Sequence, residues 1–557
     1  MLLYCSIISY ISKIMLNMIK EYLLRNKILI IAVIILFIVK IIFLDQIHLL
    51  RGERDITFTG YSLAKTAKDI YGNFLPLEFR NLDMPTPFLA FYYSALWWLL
   101  IPFKSVFFAR LPYVLLSLSL LFLVYEVIVE MTKDRKVSLL TSLIFSFSPG
   151  VFHLTRLSLE IGLAMPLLLL AMLSYLKEKK LLSYFFFMLT FFTYNGFRPV
   201  IPFILIYLEA YFLLSRRNLQ KFIFQNVKNI LFFIVLFSLS FTLIDGHMMT
   251  SRQKDLVFLS YDKIDPLVVF RRNTAIGPII LKQLFNNKIT STLYYQIEVF
   301  VKGLDLRYLF LKGDDAAIYA TTFTGQFFLI GLPFYFLGLF FLGKKWDRKY
   351  FYVLGIIPVA LVSSLVNIDY VSIAIRSMPT SVGYAFIIAC GIYFSWSIVS
   401  KLRGSLKKSI ILIFTSLFVI ELTYFIYNYY FRRPITMSES FFESEKQIAN
   451  YLMNHKNNYI IYDDSPRNIY NTYLFLNPSV DIKDMQTKLS KGHPYLFDGF
   501  TLNICPSSPK ELKVTHNTII ADSCTDIPLY DNLNNNDQVE KVKFKDFSLR
   551  TAFFVIN

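Results

Sequence analysis

Charge is what this sequence has least of. Asp, Glu, Lys and Arg make up 17% of its 557 residues, where a water-soluble domain carries about a quarter. An ordinary soluble globular chain is thereby excluded. Cysteine is scarce too, with four in all and no CxxC pair, so neither a zinc ribbon nor a redox dithiol is encoded. Cys5 and Cys390 lie in apolar surroundings. Cys505 and Cys524 fall in the polar C-terminal region, where they would pair if that region lies outside the cytoplasm. There is no P-loop, no GxGxxG after a strand and no HExxH, which leaves nucleotide-driven transport and zinc-protease chemistry without support. No small-residue cleavage pattern marks a removable leader.

What is present is apolar. Hydrophobic residues reach 55% and aromatics 17%, with Phe 56 and Tyr 36; mean hydropathy is +0.49. A membrane-crossing helix needs about 20 apolar residues. Suitable runs cover 27–47, 110–130, 137–153, 161–176, 181–195, 199–215, 229–245, 325–343, 350–366, 380–399 and 409–429, and a shorter Trp-containing run covers 88–103. Backbone in lipid must satisfy its own hydrogen bonds, so these runs are helices. The expected fold class is a polytopic α-helical membrane protein of about 11–13 spans, with a small C-terminal α/β domain.

The excess of 57 Lys+Arg over 39 Asp+Glu gives +18. The basic residues cluster in short loops, at Lys133/Arg135/Lys136, Lys177/Lys179/Lys180, Arg216/Arg217/Lys221, Lys344/Lys345/Arg348/Lys349 and Lys401/Arg403/Lys407/Lys408. Cytoplasmic retention of those loops explains the charge better than nucleic acid does. This topology makes 1–26 a cytoplasmic segment and 27–429 a transmembrane domain with long outer loops at 48–87 and 246–324. It makes 430–557 a soluble extracytoplasmic domain, with β-like runs at 459–462 and 517–520 and a helix near 440–453. Between 87 and 133 the chain must cross an odd number of times although two apolar runs lie there, so 88–103 is read as partly re-entrant.

Charges at a membrane edge are costly and are functional candidates by default. Arg51, Glu53, Arg54 and Asp55 follow the first run; the bland reading is a solvated helix end, the functional one a carboxylate that takes a proton from an acceptor hydroxyl. Arg156 and Glu160 are spaced i,i+4 and would pair on a helix. Tyr194 and Arg198 sit between two apolar runs, where an Arg can simply snorkel. Asp314 lies in the long loop and Arg376 in the turn before 380–399. On the topology above all five groups share one face. Several Arg with several carboxylates there would suit a lipid-linked phosphate, held by guanidinium forks while a carboxylate activates the acceptor. No His, Asp or Glu cluster has metal-ligand spacing, although an outer-loop carboxylate could take a divalent ion.

The stretch from Tyr61 to Leu77 (YSLAKTAKDIYGNFLPL) resembles the first outer loop of bacterial protein mannosyltransferase-like proteins, which with the aminoarabinose lipid A transferases are C-type glycosyltransferases. Arg110-Leu111-Pro112, Ser148-Pro149 with Arg156 and Glu160, Tyr194 to Pro202, Phe310 to Asp314 and Ile375-Arg376-Ser377 are similar to the same family in the same order. The resemblance implies transfer of a sugar, with inversion, from a polyprenyl-phosphate donor to a lipid, glycan or protein acceptor outside the inner membrane. It places Asp55 or Glu53 as the acceptor-activating base, with Arg156, Glu160, Tyr194, Arg198, Asp314 and Arg376 as substrate contacts. Three departures stand out. The family's Asp-Glu pair reads Gly52-Glu53 here; its Lys-Pro reads Thr86-Pro87 or Met84-Pro85; its Arg-His after Gly-Asp reads Ile318-Tyr319. A lipid-linked-sugar flippase and a catalytically degenerate envelope-pathway protein are the competing readings.

Overall fold

The computed structural model describes residues 27–81, 84–101, 103–216, 219–243, 261–366, 372–455, 458–478, 480–483, 485–486, 496–497, 500–505, 517–524, 539–544 and 547–556. The segment 1–26, residues 246–260 at the start of the long loop 246–324, and residues 367–371 at the start of the turn 367–379 lie outside them. Among the described residues, five helices are long and apolar enough to cross a membrane: Val106–Thr132, Leu219–Leu239, Arg348–Leu365, Thr380–Val399 and Gly404–Thr436. Shorter apolar helices join them, including Glu160–Leu176 and Lys180–Phe191. The chain is a multi-pass membrane protein.

The apolar runs break where backbone chemistry demands it. The run 137–153 stops at Phe147, because Pro149 has no N–H to continue the ladder, and restarts as Pro149–Leu154 with the proline in its first turn. That break swings His153 inward. The Leu89–Leu100 helix has 12 residues and spans about 18 Å at 1.5 Å per residue, too short for a bilayer core. Val106–Thr132 is left as the full-length span in that region. The Gly331–Lys345 and Thr380–Val399 helices approach so closely that a Cβ on Gly338 or Gly391 would strike a backbone carbonyl of the other helix.

The described residues of the first loop form regular elements. Its helix Arg51–Thr66 ends at Ala67 in the left-handed region. Next comes a turn in which Asp69 accepts from the backbone N–H of Tyr71 and Asn73 and from the Asn73 amide, at 2.8–2.9 Å. A two-stranded hairpin follows, β1 (Glu78–Asn81) with β2 (Met84–Pro87). The Lys68–Asn73 part of the recognised motif therefore builds a turn.

The C-terminal region is a six-stranded mixed sheet of β3 (Tyr459–Asp463), β4 (Leu496–Phe497), β5 (Phe500–Ile504), β6 (Thr518–Ala521), β7 (Glu540–Phe544) and β8 (Phe547–Ile556), in the order β4-β5-β3-β6-β8-β7. Central β3 runs parallel to β5 and β6. Cys505 and Cys524, just past β5 and β6, form a disulfide. Fully buried Arg54 ties this region to the first-loop helix, donating to the Asn468 carbonyl (3.1 Å), the Thr472 hydroxyl (2.9 Å) and the Asn468 side-chain oxygen (3.1 Å). Gln486 donates to Ser62 and Thr66 hydroxyls at 2.9 Å, and Lys104 to the carbonyls of Leu474 (3.1 Å) and Asn477 (2.8 Å).

Candidate functional site

Glu53 is 0% exposed and its carboxylate is crowded with donors. Arg110 gives Nε at 2.9 Å and Nη2 at 2.7 Å. The backbone N–H groups of Leu50 (2.9 Å) and Ser158 (2.8 Å) and the Ser158 hydroxyl (3.1 Å) complete the set. Burial pushes the carboxyl pKa up, but the Arg110 charge and these hydrogen bonds outweigh it and hold it below the usual value. Arg110 also donates to the carbonyls of Leu44, Ile47 and His48 at 2.8–3.0 Å. One ion pair thus draws together the 44–48 turn, the first-loop helix, the Val106–Thr132 span and the 156–159 turn.

Beside it stand further cations whose acceptors are neutral. Arg156 donates to the carbonyls of Lys40 (3.0 Å), Ile42 (2.7 Å) and Phe43 (3.2 Å) and lies 5.1 Å from the ring centroids of both Tyr429 and Tyr430. Lys40 donates to Ser117 (2.8 Å) and Thr155 (2.5 Å). Arg433 reaches the carbonyls of Ala317, Ile318 and Ala320 at 3.1–3.3 Å and stands 3.0 Å from His153 Nε2. Its Nε is buried without a hydrogen-bond partner. His153 also meets the Tyr429 hydroxyl at 3.0 Å. A π-helical turn, Asn428–Arg432, presents Tyr429 and Tyr430 within the last turns of the last long span.

Arg110, His153, Arg156, Arg433, Gln46, Tyr429 and Tyr430 line one pocket with about 350 Å³ of atom-free space, rimmed by Phe43, Leu44, Ile47, Leu157 and Phe441. Lys40 lies just behind Arg156. Removing a cation from water costs several kcal/mol unless it is paired, and carbonyls offer only partial charge. Among the described residues the carboxylate hydrogen-bonded into this group is Glu53, so positive charge is in excess. Such an excess would suit an anion.

The structure distributes the expected residues unevenly. Arg156 lines the pocket directly. Glu53 reaches it through Arg110. Asp314 reaches it through a loop: its carboxylate, pushed up to about 6 by burial, accepts from the N–H groups of Ala316 and Ala374. This fixes the 314–320 segment whose carbonyls hold Arg433. The expected Arg156–Glu160 helical pair does not form. The Glu160–Leu176 helix begins only at Glu160, and Arg156 turns to the carbonyls after the first helix. Arg198 donates to the Phe191 carbonyl at 3.1 Å, closing the end of the Lys180–Phe191 helix. Tyr194 packs on Phe197, with centroids 5.3 Å apart. Half-buried Asp55, Glu160 and Arg376 are outside the pocket lining, as are Tyr194 and Arg198.

Several pocket residues carried no role in the sequence reading. Arg110 and His153 stood inside or beside quoted motifs. Lys40 within an apolar run and Arg432-Arg433-Pro434 directly after one were legible as membrane-edge charges. Nothing in the spacing pointed to Gln46, Tyr429 or Tyr430. No group of three His, Cys, Asp or Glu residues suited to a metal occurs among the described residues.

Fold and pocket together describe a multi-pass helical membrane protein with an arginine-lined pocket. No family model and no curated protein matches the sequence. Among solved structures, the chain is similar to ArnT from Cupriavidus metallidurans bound to undecaprenyl phosphate, with TM-score 0.45 and 10% identity over 95% of this chain and 98% of that one. It is also similar to the archaeal oligosaccharyltransferase AglB from Archaeoglobus fulgidus in complex with an inhibitory peptide and a dolichol-phosphate, with TM-score 0.46 and 9% identity over 82% of this chain and 65% of AglB. Likeness at this level assigns no role to any residue.

Proposed function

We propose that the chain is an integral-membrane glycosyltransferase that takes a sugar from a polyprenyl-phosphate donor on the extracytoplasmic face of the inner membrane and passes it, with inversion, to a lipid, glycan or protein acceptor. The observation that carries this reading is the pocket lined by Arg156, Arg433 and Arg110, whose described lining includes no carboxylate. The donor phosphate sits against Arg156 and Arg433, whose charges stabilise it as the C1–O bond to phosphate breaks. The acceptor oxygen attacks C1 from the opposite side, and its proton passes to a carboxylate.

Asp55 takes that base role. Glu53 has its lone pairs filled by five donors and serves to position Arg110. Arg433 and His153 meet the Ile318 carbonyl from elsewhere in the chain, which puts a guanidinium and an imidazole where the family carries Arg-His in the loop itself. Glu160, Tyr194, Arg198 and Arg376 are assigned outer contacts to sugar or acceptor.

One observation favours a second reading, a lipid-phosphate-binding protein without transfer. Gly52 stands at the position of the family's first acid, and its neighbour Glu53 is committed to Arg110. Purified protein supplied with radiolabelled polyprenyl-phosphate sugars decides between them. Turnover that Asp55→Asn removes supports the transferase. Binding of undecaprenyl phosphate that Arg156→Ala weakens, with no turnover on any donor, supports the second reading.

A further inference from the structure

The Glu160–Leu176 helix starts beside Arg156 and runs 17 residues to Lys177, about 25 Å at 1.5 Å per residue. At that far end lies a second cavity, with about 600 Å³ of atom-free space, between the Lys180–Phe191, Val200–Arg216 and Leu219–Leu243 helices. Two of its lining residues, Gln225 and Glu209, are the ends of a hydrogen-bonded chain. Gln225 donates to the Tyr184 hydroxyl (2.8 Å), Tyr184 to the Asn229 side-chain oxygen (2.6 Å), and the Asn229 amide to the Tyr175 hydroxyl (3.0 Å). Tyr175 in turn donates to Glu209 Oε1. Lys180 pairs with that same oxygen at 2.5 Å, and the Glu209 side chain is 7% exposed.

The described contacts of Glu209 all fall on Oε1, so Oε2 remains for a donor entering the cavity. The lining also carries Lys221, Glu178 and the rings of Phe212 and Phe222. Both signs of charge therefore surround one opening. Outside it, Ile223 (54% exposed), Phe224 (62%) and Val227 (48%) project from the Leu219–Leu243 helix, an apolar flank on a helix long and apolar enough to cross a membrane. An occupant must then join a cation and an anion a few ångströms apart to an apolar body.

We infer that this cavity binds the headgroup of an amine-bearing phospholipid. The ammonium meets Glu209 Oε2 and the faces of Phe212 and Phe222, where cation–π attraction adds to the charge pairing. The phosphate meets Lys221 and Lys180, and the acyl chains lie along Ile223 and Val227. This inference does not depend on the glycosyl-transfer reading, because the cavity shares no residue with the arginine pocket.

Native mass spectrometry of the purified full chain, titrated separately with phosphatidylethanolamine and phosphatidylglycerol, tests it. The amine lipid should bind about tenfold more tightly, the equivalent of one charge-assisted hydrogen bond. Glu209→Gln should erase that preference. Exposed Lys221→Ala should weaken both lipids severalfold, and Lys401→Ala, in another basic loop, should change neither. Equal affinity for the two lipids in the unaltered protein overturns the inference, as does retention of the preference in Glu209→Gln. Should Glu209→Gln fail to fold, unchanged binding by Lys221→Ala overturns it alone.

Discussion

Removing the Glu53 carboxylate is the sharpest perturbation this fold offers. Glu53→Ala leaves the Arg110 guanidinium, 5% exposed, with only the carbonyls of Leu44, Ile47 and His48 as acceptors. Breaking a buried pair by deleting one partner costs about 3–5 kcal/mol, or about 10²- to 10⁴-fold in the folding equilibrium. Trp98 is a convenient reporter, since its indole N–H donates to the Thr57 carbonyl of the first-loop helix at 2.9 Å. Denaturant titration in detergent, followed by tryptophan fluorescence, should show the loss in Glu53→Ala and most of it in Glu53→Gln. Adding Arg110→Leu to Glu53→Ala should recover part of it, because no charge then stays buried, and a double-mutant cycle should return a coupling of about 2 kcal/mol. The pH dependence follows from the lowered pKa of Glu53. Its stabilisation is fully present above the ordinary carboxylate range and fades as pH falls through the depressed value. Stability of Glu53→Gln within about 0.5 kcal/mol of the parent, or strict additivity in the cycle, would refute the view of Glu53 as an internal brace.

Three other outcomes are expected. Asp55→Asn should lower turnover about 10²- to 10⁴-fold with denaturation unchanged, while Glu53→Gln should lose activity only in step with its folded fraction. Arg156→Ala and Arg433→Ala should each weaken undecaprenyl phosphate binding at least about tenfold, as expected for one charge-assisted hydrogen bond, read by ligand-dependent thermal shift. Asp314, with its carboxyl raised to about 6, favours the folded state most when protonated, so its contribution is complete below the ordinary Asp range and fades as pH rises through about 6. Stability curves of Asp314→Asn should therefore be flatter between about pH 4 and 6 than those of the parent.

The helical membrane architecture was legible because length and apolarity report spanning directly, and the runs at 380–399 and 409–429 coincide with long helices. The strands at 459–462 and 517–520 were equally legible, as β-branched and aromatic runs between polar turns. The pocket was less so. Its cations are gathered from residues 40, 110, 156 and 433, and sequence separation hides which of them converge. Spacing misled at Arg156, because i,i+4 geometry presupposes a continuous helix, and the chain leaves the helix after Leu154 and resumes it only at Glu160. At Asp314 the motif was seen, but its partners proved to be backbone N–H donors, a role that a side-chain pattern cannot announce.

The anchoring of Arg54 by Asn468 and Thr472 reaches across 414 and 418 positions of sequence. During synthesis this arginine emerges early, and its acceptors are made only when the chain is nearly finished. The first loop therefore cannot settle until the last domain arrives, and a protein truncated after its final span would keep its anchors in the bilayer yet strand a buried cation at its centre.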